Sequence, residues 1–233
     1  MRHAAASALA ILAVSTASQA AEVEVYFGCG CFWHMQHGFA EFEMSELQRQ
    51  GEAITSRTAY AGGTKVGADG LVCYHNGQGV ADYGQMGHSE VVRMSIPEAS
   101  FPAFADTFWK LCPAGRRQDV ADAGGEYRSL VGLPGGSKSP FYAQLQQAAG
   151  SPPRAPVSTV LVPGAGDEGD NYGTNSVLVY DTSSFPAHVA EKYHQFHDDM
   201  QASYGSKYNA LRSIASATKC PGDQASSFLG WFH

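Results

Sequence analysis

The amino-acid sequence predicts an α/β (α+β) fold: a ferredoxin-like two-layer sandwich on a split βαβ core, with an extended C-terminal region. Three observations predict it. Apolar patterning over residues 23–133 runs β-α-β-β-α-β, the order of that core. Two of these segments carry phenylalanines at helical spacing, and the others are short apolar runs bounded by Gly or Pro. The chain also has 26 glycines, eleven tyrosines and twelve phenylalanines in 233 residues, which suits one turn-rich domain with a full core.

The first strand is the alternating run Val23-Glu24-Val25-Tyr26-Phe27. A helix over residues 32–49 follows, with Phe32, Met35, Phe39 and Phe42 on its core face. Residues 54–60 give a second strand, closed by Ala61-Gly62-Gly63, and residues 64–87 form a loop long enough to be functional. Residues 89–96 form the third strand, ended by Pro97. Phe101, Phe104, Phe108 and Leu111 mark the second amphipathic helix, so they and Trp109 are read as core. After a glycine-rich turn come a fourth strand at 127–133 and a short helix at 140–149. A Pro-rich stretch at 151–156 reads as a linker or exposed loop. Apolar runs at 159–162 and 177–180 flank a Gly/Asp/Asn turn region, and Pro186 opens a helix through Met200.

Residues 1–20 have the layout of a secretory signal: a basic Met1-Arg2-His3, an apolar stretch at 8–14, and small residues at Ser18-Gln19-Ala20. The expected product is an exported protein, periplasmic or secreted, without membrane insertion once the signal is removed. A domain over residues 21–200 and a tail over 201–233 complete the organisation. The formal charge of −7 excludes a general nucleic-acid surface, which needs a basic face. Five cysteines is an odd count, so one is left over for a free or reactive role.

Cys31 is the prime candidate for that role. It sits where the first strand gives way, through Gly28-Cys29-Gly30, to the mouth of the first helix. A helix N-terminus offers unpaired N–H groups and a positive dipole end, both of which favour thiolate over thiol. Phe32 and Trp33 can wall a pocket for a polarisable group.

Five strings then appear in one order: Gly30-Cys31-Phe32-Trp33, Tyr60-Ala61-Gly62-Gly63, Gly87-His88-Ser89-Glu90-Val91-Val92, Asp122-Ala123-Gly124-Gly125-Glu126-Tyr127-Arg128-Ser129, and Glu191-Lys192-Tyr193-His194-Gln195. Together they resemble the motifs of the peptide-methionine (S)-S-oxide reductases across residues 23–197. The resemblance implies a ferredoxin-like fold and reduction of methionine sulfoxide in proteins, peptides or the free amino acid. It implies that Cys31 attacks the sulfoxide sulfur and becomes a sulfenic acid, which a second thiol resolves to a disulfide. Phe32 and Trp33 would enclose the substrate methyl, while Tyr60, Tyr127 and Asp122 would hold the sulfoxide oxygen. An oxidoreductase of this kind needs no cofactor or metal. Its partner is a thioredoxin-like or other dithiol reductant, and the protein is expected to be a monomer.

One position departs from the resemblance. It places an acidic proton donor three residues after the tryptophan, and this sequence has Gln36, which cannot act as a general acid. Glu126, His34, His37 or a tyrosine–water route are the replacements. Gln36 also supports an alternative, a weakened reductase-fold protein that binds oxidised methionine or a partner. The long 64–87 loop supports another, a reductase of a different small sulfoxide. Cys220, in a Gly/Pro-containing tail, is the candidate resolving thiol, with a structural disulfide as its other role. Cys29 reads as a buried strand residue, and Cys73 with Cys112 as a bridge, although sequence does not fix connectivity. His34/His37 and His194/His197 would each share a helical face, a spacing that zinc tolerates, but no paired-cysteine ligand spacing accompanies them.

Overall fold

A computed structural model describes residues 21–150 and 159–224. The expected signal at 1–20, the Pro-rich stretch at 151–156 and the end of the tail lie outside the described residues. The core elements are β1 (Glu22–Gly28), α1 (Phe32–Glu46), β2 (Arg57–Ala61), β3 (Ser89–Pro97), α2 (Phe101–Leu111) and β4 (Leu130–Leu133). They continue into α3 (Tyr142–Ala149), β5 (Val160–Pro163), β6 (Ser176–Asp181), β7 (His188–Val189) and α4 (Ser206–Ala210). All strands join one sheet in the order β5-β6-β4-β1-β3-β2-β7.

The inner four strands, β4-β1-β3-β2, are the ferredoxin-like core that the element order predicts. β3 runs antiparallel to both β1 and β2, pairing Val25 with Met94 and Tyr60 with Glu90. The sheet then grows at both edges. β6 adds parallel to β4, β5 parallel to β6, and β7 antiparallel to β2.

The phenylalanine stripes do what their spacing requires. Phe27 from β1 stacks on Phe39 of α1 at 5.1 Å and meets Phe108 of α2 at 5.3 Å between ring centroids. Each such ring is fully buried and contributes about 1.5–3 kcal/mol. α1 stops at Glu46, before the expected 49, because Gln48 turns to φ 54°. The buried Glu43 carboxylate then ties the helix end to β2. It accepts from the Thr55 and Ser56 N–H groups at 2.8 Å and from Arg49 at 2.9 Å.

Other expected elements differ as well, and β2 begins at Arg57 rather than 54. β4 begins at Leu130 rather than 127, since Gly125–Tyr127 forms a 3₁₀ turn. The buried Arg128 fixes that turn through the Gly125 and Gly87 carbonyls and the Tyr180 hydroxyl. Residues 186–200 are not a helix. His188–Val189 pairs with β2, a short 3₁₀ turn covers Lys192–His194, and Phe196 at φ 54° prevents continuation. The Gln195 side chain explains the override: it accepts from Thr58 N–H and donates to the Thr58 and Ala190 carbonyls, as a strand neighbour would. His194 and His197 therefore do not share a helical face.

The described part of the tail is tied down. Tyr208 and Leu211 pack with Phe196 on Ala40 of α1 and Ile54. Asp223 accepts from the Lys192 and Thr218 N–H groups. No helix among the described residues is long and apolar enough to cross a membrane.

Candidate active site around Cys31

The turn between β1 and α1 sets the geometry of Cys31. Gly30 adopts φ +71°, and a Cβ there would lie 2.8 Å from Arg117 Cβ and 3.0 Å from Asp122 Oδ2. Only glycine fits this close, left-handed position. Gly30 N–H donates to the Tyr127 carbonyl at 3.1 Å, and Cys31 N–H donates to Asp122 Oδ2 at 2.9 Å. Cys31 is thus the N-cap residue of α1, held by the loop that carries Asp122 and Tyr127.

All five cysteines fall within the described residues, and four are paired. Cys29 bonds Cys112, and Cys73 bonds Cys220, leaving Cys31 as the free thiol. This corrects two expectations. Cys112 is the partner of Cys29, not of Cys73. Cys220 is not a thiol in a swinging tail but is buried against Cys73 and Ala81. Their pairing follows from docking of the tail on the 64–87 loop, which local sequence does not encode.

The electrostatics of Cys31 also depart from the sequence expectation. Burial pushes its pKa well above the usual thiol range, and the Glu90 and Asp122 carboxylates add to the rise. The N–H groups of Trp33 and His34 oppose it, as a helix N-terminus should, but they lose. Burial thus favours the thiol over the thiolate at rest.

Glu90 is the residue that the sequence reading passed over. It stands on β3 opposite Tyr60, fully buried, with Oε2 accepting from Phe32 N–H at 2.8 Å. Burial drives its pKa well above the ordinary carboxylate value, with Asp122 and Glu126 reinforcing the shift against the Phe32 N–H. Burial thus favours the neutral acid at Glu90, whose carboxyl group lies beside the first turn that carries Cys31. The signal was available: a carboxylate inside the apolar run Ser89-Glu90-Val91-Val92 must be paired or protonated.

Tyrosines surround the pair. Tyr74 and Tyr127 lie within electrostatic reach of both Cys31 and Glu90, and burial raises both phenols. Tyr83 OH sits 3.5 Å from Glu90 Oε1 and 3.3 Å from Glu126 Oε2. The Tyr60 hydroxyl is directed elsewhere, donating to Glu191 at 2.9 Å, and its fully buried ring stacks on Tyr83. Tyr60 is a support, and the loop at 64–87 supplies Tyr74 and Tyr83 instead.

Gln36 is not at the reacting sulfur. It donates to the Ser56 carbonyl and to Gln195 Oε1, both at 3.2 Å, and accepts from Phe196 N–H at 2.6 Å. It clamps α1 to Ser56, just before β2, and to the 195–196 segment. Among the other replacements, Glu126 sits at the rim, 3.3 Å from His75, while His37 stacks on Tyr204 at 3.7 Å. His34 does face the site, with burial lowering its pKa.

A cavity of about 110 Å³ opens beside the thiol, lined by Cys29, Cys31, His34, Asp122, Asp199 and Met200 among others. Phe32 does not line it but is buried in the core, against His194 at 5.2 Å and Tyr60 at 5.9 Å. Trp33 is half-buried, with its face stacked on His197 at 4.4 Å. Of the expected residues, Cys31, Asp122 and His34 line the cavity; Tyr127, with Glu90 and Tyr74, lies within electrostatic reach of the thiol without lining it.

No family model and no curated protein matches this sequence. Solved structures do match. Methionine sulfoxide reductase A of Corynebacterium diphtheriae is 18% identical, over 79% of this chain and 80% of its own, at a TM-score of 0.48. The reduced form of Mxr1 from Saccharomyces cerevisiae is 17% identical, over 80% of this chain and 90% of its own, also at 0.48.

Proposed function

We propose that this protein reduces methionine S-sulfoxide through Cys31, with Glu90 as the general acid. One observation carries the reading: the only cysteine outside a disulfide caps a helix beside a fully buried carboxyl group, Glu90, whose burial favours the protonated form. A sulfoxide needs both. Its sulfur must meet a nucleophile, and its oxygen must be protonated before the S–O bond breaks.

The step balances without net proton uptake. Cys31 sulfur, its proton released, attacks the sulfoxide sulfur while Glu90 protonates the oxygen. The oxygen passes to Cys31 as a sulfenic acid, and the thioether leaves. The cysteine sulfur is oxidised by two electrons and the substrate sulfur is reduced by two. The thiol gives up one proton and the acid gives another, so the released thiol proton restores Glu90. Tyr74 and Tyr127 donate hydrogen bonds to the oxygen, Asp122 holds the Cys31 backbone, and Trp33 borders the methyl.

The binding-only alternative rested on Gln36, whose hydrogen bonds go to Ser56, Gln195 and Phe196 rather than to the cavity. An external dithiol of thioredoxin type closes the cycle. The reading includes export, for which two disulfides in one chain are suited. Substrates are oxidised proteins, peptides or the free amino acid. Racemic methionine sulfoxide with excess dithiothreitol, followed by chiral chromatography, tests the proposal. Loss of the S epimer alone, abolished in Cys31→Ser, supports it, whereas no loss of either epimer from folded protein with an unblocked thiol overturns it.

A further inference from the structure

We propose that Cys29 and Cys112 are the dithiol that resolves oxidised Cys31, and that the Cys29–Cys112 disulfide is the product of that step. The inference rests on the nucleophile role of Cys31 given above. Cys29 and Cys31 line the same cavity, joined only by Gly30 in its left-handed turn. Cys112, just past the end of α2, is already bonded to Cys29. One buried hydroxyl, Ser129 Oγ, lies 3.4 Å from Cys29 Sγ and 3.7 Å from Cys112 Sγ. A donor that reaches both sulfurs stabilises whichever becomes the thiolate when the bond opens. The other bridge, Cys73–Cys220, sits in a different buried cluster and does not line the cavity.

The chemistry follows in two steps. The Cys29 thiol condenses with the Cys31 sulfenic acid, forming a Cys29–Cys31 disulfide and releasing water. A ring this small is strained, so the bond is labile. Cys112 thiolate then attacks the Cys29 sulfur, forming Cys29–Cys112 and expelling Cys31 as thiolate. The dithiol has lost two electrons, the sulfenic sulfur has gained two, and Cys31 is ready for another sulfoxide. An external dithiol reopens Cys29–Cys112 by exchange. The arrangement seen, with Cys31 free beside an oxidised neighbour pair, is the end point of this sequence.

The test starts from full-length protein reduced with dithiothreitol and freed of reductant. One sample receives a single equivalent of hydrogen peroxide and another methionine S-sulfoxide. Both are quenched with N-ethylmaleimide and their disulfides mapped by peptide mass spectrometry. The expected result is Cys29–Cys112 with a free Cys31 in both arms, and its loss in Cys31→Ser. In Cys112→Ser, Cys29–Cys31 should accumulate, and if that variant does not fold, wild-type mapping decides. Persistence of a dimedone-reactive Cys31 beside unpaired Cys29 and Cys112, or earlier appearance of Cys73–Cys220, overturns the relay. Success with peroxide and failure with sulfoxide would count against the reductase reading alone. Oxidation of Cys31 by sulfoxide without Cys29–Cys112 formation would count against the relay alone.

Discussion

Replacing Glu90 with glutamine keeps the side-chain shape and removes the transferable proton. The amide oxygen still accepts from Phe32 N–H, the bond that Glu90 Oε2 makes at 2.8 Å, so the first turn of α1 should hold. Loss of a general acid costs about 10²–10⁴-fold in rate, or about 2.7–5.4 kcal/mol of barrier. The structure adds a second effect with a definite sign. Once ionised at high pH, Glu90 ranks after burial among the causes that raise the Cys31 pKa, so an uncharged amide in its place should lower that pKa. Glu90→Gln should therefore be a slower enzyme with a more easily ionised thiol. Two assays read this: methionine formation against pH, and iodoacetamide alkylation of Cys31 against pH. The wild-type rate should fall at high pH as Glu90 loses its proton. The variant rate should lack that fall and climb as the thiol ionises. Its alkylation midpoint should move to lower pH. A wild-type rate in the variant, or an alkylation midpoint that moves up, would refute the role assigned to Glu90.

Other consequences can be checked alongside. Gln36→Glu places a carboxylate against the Ser56 carbonyl and Gln195 Oε1; it should cost ~2–4 kcal/mol in denaturant titrations without raising turnover. A faster Gln36→Glu enzyme would contradict the clamp assignment. The Arg117–Asp170 pair, at 2.7 and 2.9 Å, holds the Asp170 carboxyl well below the usual range. That stability is present above the unfolded carboxylate value near ~4 and is lost as pH falls through the lowered folded value. Asp170→Asn should cost about 2 kcal/mol at neutral pH, intermediate between exposed and buried pairs, and should flatten the acid limb of a melting-temperature profile. Gly30→Ala forces a Cβ to 2.8 Å from Arg117 Cβ at φ +71°, and should remove activity before it unfolds the domain, as circular dichroism beside the turnover assay would show. The Cys73→Ser/Cys220→Ser double variant opens a bridge spanning 147 residues and should lose about 3–5 kcal/mol while still releasing methionine in a first turnover.

What the sequence made legible was local. The alternating run at Val23 to Phe27 and the phenylalanine spacing in α1 and α2 encode their own periods, and those elements form there, with α1 ending three residues early. Cys31 was legible for the same reason: a glycine turn before a helix is a short-range signal. What failed was decided at long range. The segment at 186–200 has helical composition, yet the free edge of β2 captures His188 and Val189, and Gln195 completes the pairing. Tyr60 was read as matching a short string and Gln36 as departing from one, but their partners, at Glu191 and Phe196, lie more than a hundred residues away. The disulfide pairs likewise depend on which loops dock. Glu90 differs from these, since a carboxylate in an apolar strand was visible and only its consequence, a neutral acid, went unread.

The central claim is that methionine sulfoxide is reduced at Cys31 itself. A rapid-quench experiment on fully reduced protein without added reductant measures this most directly, by counting methionine released per Cys31 in the first turnover. The account predicts an initial burst of at least one equivalent from the S epimer, none from the R epimer, and none after Cys31 is blocked with iodoacetamide. Methionine release that survives the block, or no burst from either epimer while the thiol is free, would contradict it.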